Sequence, residues 1–369
     1  MTADAQTSAV RAEHEHAALR QTDTTVGPDA SAPHVAAGRR ARPVLWWAAL
    51  GAAAVAMQLY VFTRWVTSSD FAATPTGPDP VPHDVMVRAW LLQGTFAVAA
   101  MATIGWLVWR CVRERHLTFN ARMWIAWVAI IWLDPWANLI RPQMMFNSYY
   151  FNRGSWVEYI PWWISAKGHL LPQPFLIETA NFMTMVVVTI AGGKLMSYIK
   201  RRWPGVGFVG LFAPTWLAMM VFVFAIEELV VIRGGWVWWT SNLDALTFWS
   251  GTANAMPLAE LLLWGFTITV LAYQVYAYNT YGRAPVERGI DRVPVAGAAR
   301  TALSTFALIG CATFAMGVYS VCSAVLGLYT GDTPRDIPSY FTNGICGQAA
   351  VPPCLTEGGP IYRQSDWGN

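Results

Sequence analysis

The chain has 369 residues, 55% of them hydrophobic and 13% charged, about half the charged share of an ordinary soluble domain. Such a composition cannot cover two or three water-facing domains, and a net charge of +3 supplies no basic face for nucleic acid. It specifies an all-α polytopic membrane protein, in which 21 Trp suit the interfaces and 29 Gly permit close helix packing.

Residues 1–42 are polar, rich in Ala, Thr and charge, and lack the apolar core of a signal peptide. They read as a disordered cytoplasmic tail. Long apolar runs follow at 44–63 and 89–109 without a charge, and at 123–140 with one Asp. Four more lie at 175–199, 205–232, 253–279 and 301–330. Each approaches the roughly 20 residues that cross a ~30 Å hydrocarbon core, so the expected fold is a seven-helix transmembrane bundle over 43–330. The remaining segment, 331–369, is rich in Pro and has no apolar run. There Cys346 and Cys354 suggest a short disulfide loop, since two cysteines without a nearby His make a poor zinc site. Cys111, Cys311 and Cys322 fall in or beside spans and read as packing residues. No internal repeat relates the spans, which disfavours an inverted-repeat transporter.

Orientation follows from the cations. With alternate connections on opposite sides, 17 Lys and Arg fall on the side of the N terminus and 8 on the other. The positive side faces the cytoplasm, so a multi-pass cell-membrane protein is expected with its N terminus inside and its C terminus outside. A cysteine engineered into the C-terminal tail should be labelled by an impermeant thiol reagent applied to intact cells, and one in an N-terminal tag should be spared. The opposite pattern would reverse the topology.

Acids within spans are expensive, about 2.5–3.5 kcal/mol each at a helix centre, and need a reason. Asp134, Glu178, Glu227, Glu228 and Glu260 all fall within about two helical turns of the outer boundary. Asp134, Asn138 and Arg141 are spaced to share a helical face beside Pro135, as are Glu178 and Asn181. Trp264 follows Glu260 on its side of the sixth span. Of Glu227 and Glu228, about 100° apart on a helix, one is expected to face the interior and the other a cation such as Arg233 or Arg141.

Two readings are open. The acids could pair with Arg141, Lys167 and Arg233 and simply hold the bundle together. Alternatively they line an outward-facing cavity in which crowded carboxyls cannot all ionise, so that some serve as acids. The surplus of acids over cations at that depth favours the second. Aromatics crowd the outer connections, mainly as an interfacial belt. A subset, Trp156 and Trp236 among them, is placed to wall a lipophilic substrate site. His169 is the one histidine near the acid layer and reads as a loop residue. Motifs for nucleotide, haem, metalloprotease or serine-hydrolase chemistry are missing, so neither cofactor nor metal is expected.

The run Asp134-Pro135-Trp136-Ala137-Asn138, followed by Arg141-Pro142-Gln143 and Phe151-Asn152-Arg153-Gly154-Ser155-Trp156, resembles the AveC-type spirocyclases of actinobacteria, over roughly residues 43–330. That resemblance implies closure of a spiroketal on a polyketide, in some cases with dehydration; no catalytic residue is carried over from the family. Spiroketal formation joins two hydroxyls to a ketone with loss of water through an oxocarbenium ion, and it needs an acid, a base and shelter from water. Other acid-initiated cyclisations of a lipid or terpenoid fit the same residues. So does a non-catalytic role as a lipid-binding or accessory subunit of an envelope complex. Copurifying lipids, identified by mass spectrometry, separate these: a cyclic ether or ketone indicates an enzyme, phospholipid alone the accessory role.

Overall fold

A computed structural model describes residues 42–239, 243–329 and 337–345. The predicted N-terminal tail and the Cys346–Cys354 pair lie outside these residues. Among the described residues, six helices are long and apolar enough to cross a membrane. They are α1 (Pro43–Val66), α2 (His83–Glu114), α4 (Phe175–Arg202), α5 (Phe208–Ile226, continued as a π turn, Glu227–Ile232), α6 (Leu258–Tyr281) and α7 (Gly297–Leu326).

The expected seventh helix, 123–140, is not continuous, which corrects the seven-helix count. α3 (Phe119–Val128) stops after ten residues and gives way to a 3-10 segment, Ile131–Asn138. Pro135 is the local cause: it has no N–H for the helical ladder, and it pushes Asp134 out of α geometry. The broken segment still runs the length of the bundle beside α7. Arg122 pairs with Glu287 near Ser304, whereas Leu133 O accepts from Ser320 Oγ at 3.1 Å and Gln143 Nε2 donates to Ser323 O at 2.6 Å. Ser304 and Ser323 are about 28 Å apart along α7 at a 1.5 Å rise per residue.

α7 forms the spine. α1 crosses it backbone to backbone, because Gly51 and Gly310 leave no side chain in the crossing. A Cβ added at Gly51 would sit 2.0 Å from Phe306 O, and one at Gly310 would sit 2.0 Å from Trp47 O. Such contacts require small residues, as in close helix pairs within lipid. Gly310→Val is therefore expected to lower the melting temperature and yield sharply. Gly94→Ala on α2, with open space around the added methyl, should be neutral or slightly stabilising.

At one end of the bundle two short strands pair antiparallel, β1 (Met144–Phe146) with β2 (Val237–Trp239), in the register Met144 to Trp239 and Phe146 to Val237. Strand alternation then separates their faces. Met144, Phe146, Val237 and Trp239 point into the bundle. Met145 and Trp238 pack on the other side against Leu171, Tyr340 and Phe341. The last two belong to a short helix, α8 (Ser339–Thr342), so residues 337–345 of the expected C-terminal tail are part of the folded body. Ser148 N donates to Tyr340 O at 2.8 Å, and Asn343 Nδ2 donates to Phe146 O at 3.3 Å.

Candidate functional site

Beneath the β1–β2 sheet four elements deliver one carboxyl each to a single narrow cavity: Asp134 from the 3-10 segment, Glu178 from α4, Glu227 from the π turn and Glu260 from α6. Asn181, Trp236, Trp264 and Tyr319 complete the polar and aromatic wall, and Met144, Phe146, Val231, Val237 and Trp239 the rest. The cavity volume is about 30 Å³, room for one or two waters. None of these described lining residues is basic.

Local structure explains each placement. The Pro172-Gln173-Pro174 run starts α4, and Glu178 stands in its first turn, with its N–H donating to Pro174 O at 2.9 Å. Glu260 likewise stands in the first turn of α6, directly after Pro257. Helix N-terminal turns favour acidic side chains through their unpaired N–H groups. At the end of α5 the ladder widens to i+5, with Arg233 N bonded to Glu228 O at 3.2 Å and Trp236 N to Val231 O at 3.0 Å. That π turn, a device common at functional sites, leaves Glu227 on the cavity and Glu228 off it.

The floor is aromatic. Trp264 packs edge-on against Trp127 at 5.8 Å and lies 5.4 Å from Tyr319. Trp127 is fixed in turn by an indole hydrogen bond to Thr189 Oγ1 at 2.9 Å. Tyr319 Oη donates to Glu260 Oε2 at 2.9 Å. The indole N–H of Trp239, buried on the cavity wall, has no protein acceptor at hydrogen-bond distance, whereas that of Trp236 is directed to the Glu178 carboxyl. The cavity thus presents several carboxyls, one phenol and one uncommitted N–H donor, that of Trp239.

Five residues named from the sequence stand elsewhere. Glu228 is buried and forms an ion pair with Arg233, Nε to Oε1 2.7 Å. Asn138 braces the approach to β1: its Oδ1 accepts from Gln143 N and Met144 N and its Nδ2 donates to Met144 O, each at 2.8 Å. It was expected on the face of Asp134, but in a 3-10 helix i and i+4 lie about 120° apart rather than 40°. Arg141 is buried beyond the end of that segment, outside the cavity wall. Trp156 is a packing residue, set edge-on to Phe62 and Trp65 and donating to Trp132 O at 3.2 Å. His169 bonds Glu158 through Nδ1 at 2.8 Å, and that carboxylate raises its pKa above the ordinary imidazole value.

Tyr319 and Trp239 are the functional-site residues that composition and charge did not reveal. Tyr319 lies in a span without charges, where it is still a polar group at the depth of the acids. Among the described residues no group of three or more His, Cys, Asp or Glu side chains is arranged to hold a metal ion.

A family model described as spirocyclase AveC-like matches residues 114–344. Neither a curated protein nor a solved structure matches the chain. The matched stretch starts at the last residue of α2 and takes in all four acid-bearing elements, the β1–β2 sheet and α7 before ending beyond α8. It covers well over half the sequence, and the chain therefore belongs to the AveC-like spirocyclase family.

Proposed function

We propose that the protein is a membrane-embedded cyclase or dehydratase that closes a spiroketal-type ring on a lipophilic, polyketide-like hydroxyketone, by carboxylic acid and base catalysis without a cofactor. The observation that carries this reading is the convergence of Asp134, Glu178, Glu227 and Glu260 on one narrow cavity whose described lining holds no cation. Family membership supports cyclase or dehydratase chemistry in general.

Four carboxyls so confined cannot all be charged, and those that keep a proton can act as acids. One such acid protonates the hydroxyl of a hemiketal, which leaves as water. The resulting oxocarbenium ion is stabilised by a neighbouring carboxylate and by the faces of Trp236 and Trp264. A second carboxylate accepts the proton of the attacking hydroxyl as the new C–O bond forms. Glu260 suits this role, because Tyr319 orients it by donating to Oε2. The indole N–H of Trp239 is placed to hold an oxygen of the substrate. Since the cavity holds only a water or two, the β1–β2 sheet must part to admit substrate and then reclose, which excludes bulk water from the cation.

Purified protein in lipid nanodiscs, given a long-chain dihydroxyketone, should release a product lighter by one water and carrying two new rings that share the former carbonyl carbon. Tyr319→Phe should slow this step about tenfold or more while leaving substrate KM nearly unchanged. A protein that retains the ketone unchanged, with or without Tyr319, would point to lipid carriage instead.

A further inference from the structure

The two strands that roof the acid cavity are held unequally. β1 is bonded along both edges. On the edge away from β2, Met144 N donates to Asn138 Oδ1 and Met144 O accepts from Asn138 Nδ2, both at 2.8 Å, and Phe146 O accepts from Asn343 Nδ2 at 3.3 Å. Just beyond the strand, Ser148 N donates to Tyr340 O at 2.8 Å. The helix that supplies these partners, α8, is itself tied down: Ser339 N donates to Asp79 Oδ2 at 2.7 Å and Asp79 N to Ser339 Oγ at 2.9 Å. β1 and α8 thus form one fixed leaf.

β2 differs. Its root is secured, because Gly234 O accepts from Tyr150 Oη at 3.2 Å, Gly235 O from Asn147 Nδ2 at 2.8 Å and Trp236 O from Asn147 N at 2.9 Å. Bonded pairs alternate along an antiparallel ladder. The next one after Asn147–Trp236 is therefore Met145–Trp238, and the backbone polar groups of Val237 and Trp239 point to the outer edge. Among the described residues nothing bonds that edge. Beyond Trp236, β2 is an edge strand: it can peel away by giving up its bonds to β1, whereas β1 would also have to give up those to Asn138 and Asn343.

Peeling carries Trp239 along. Its indole N–H is buried on the cavity wall without a protein acceptor, and a buried donor left unmade opposes closure until an acceptor arrives. We propose, building on the catalytic reading above, that β2 is the moving flap of the roof, pivoting beyond Trp236 while β1 and α8 stay in place, and that Trp239 is a specificity-determining residue which shuts the flap by donating to an oxygen of the substrate. Entry and recognition are then one event: a chain of the same length with no oxygen at that point leaves the donor unmade and the flap unsealed.

Native mass spectrometry of the detergent-solubilised full chain tests this with two probes, a long-chain ketone without hydroxyls, which cannot cyclise, and the alkane of the same length. The wild type should retain the ketone at least tenfold more than the alkane, and Trp239→Phe, which keeps an aromatic ring but has no N–H, should retain the two alike. In Met145→Cys/Trp238→Cys, a directly opposed pair on the face turned away from the cavity, oxidation to a cross-strand disulfide should slow ketone uptake at least tenfold, and reduction should restore it. Ser148→Cys/Tyr340→Cys, joined by a short bifunctional thiol reagent, should take up ketone at the wild-type rate, because the fixed leaf does not move. Single-cysteine variants treated in the same way control for the native thiols. A wild type without preference, or a preference that survives Trp239→Phe, would overturn the role of Trp239. Uptake untouched by the first lock, or stopped by the second, would overturn the flap. If ketone uptake meets these expectations in a protein that does not cyclise a dihydroxyketone, the flap is supported and the catalytic reading alone fails.

Discussion

Glu178→Gln is expected to reduce turnover by about 10²–10⁴-fold, the usual contribution of a positioned general acid or base, and to leave the melting temperature near that of the wild type. The amide keeps the shape of the side chain but has no proton to deliver. It strands no cation either, since none is among the described lining residues. Asp134→Asn, Glu227→Gln and Glu260→Gln complete the series, and the acid and base should stand out from the two carboxyls that only shape the field. Glu228→Gln is the internal contrast. Its partner Arg233 is half exposed, with 51% of its side chain accessible, so water can screen the orphaned charge and both activity and fold should largely persist. Single-turnover rates and melting curves on the same preparations check these outcomes. If all four cavity variants turned over at the wild-type rate, the catalytic carboxyls would have to lie elsewhere.

The second large effect is on stability. Glu287→Ala should cost about 3–5 kcal/mol, the usual consequence of removing one member of a buried ion pair. Glu287 holds Arg122 through Oε1 at 3.0 Å, accepts from Ser304 through the same oxygen, and accepts from Ala284 N through Oε2 at 2.8 Å. Arg122 lies against the stacked rings of Phe119 and Tyr278, with its Cζ 5.2 and 5.7 Å from their centroids. Only 10% of its side chain is accessible, so the stranded guanidinium could not reach water. The double variant Arg122→Met/Glu287→Leu should recover most of the loss, because it removes both charges and keeps the volume. Thermal unfolding in detergent distinguishes the cases, and a double variant as unstable as the single one would refute the ion-pair explanation.

The depth of the acids was legible in the sequence because every charge in an apolar run is conspicuous. Glu178, Asn181, Glu227, Glu260, Asp134, Trp236 and Trp264 all line the one cavity. The sequence also anticipated that Glu227 and Glu228 would part, one inward and one to Arg233. What it hid depends on distant partners. The 3-10 segment is supported by Ser320 and Gln143, which tie residues 133 and 143 to α7 some 180 positions later, and no local pattern announces such a bond. β1 and β2 are three residues each and about 90 positions apart, too short for a period to register. Tyr319 carries no charge, and a survey of spans by charge passes over it. The segment 337–345 lacks an apolar run, yet its Tyr340 and Phe341 back the β1–β2 sheet.

The broken third crossing bears on how the chain is made. A ten-residue helix is too short to partition into a bilayer by itself, and the carbonyls released around Leu133 and Ala137 find donors in Ser320 and Gln143. Ser320 lies in α7, and the Gln143 side chain also rests on Ser323 of that helix, which is among the last parts of the domain to leave the ribosome. Until then residues 119–146 cannot settle in hydrocarbon with their backbone satisfied, and the pocket that Asp134 completes does not exist. Nascent chains arrested before residue 297 should therefore leave this stretch open to protease or thiol reagents, and those released after residue 329 should protect it. That outcome would show α7, the last of the long helices, setting the third crossing in place.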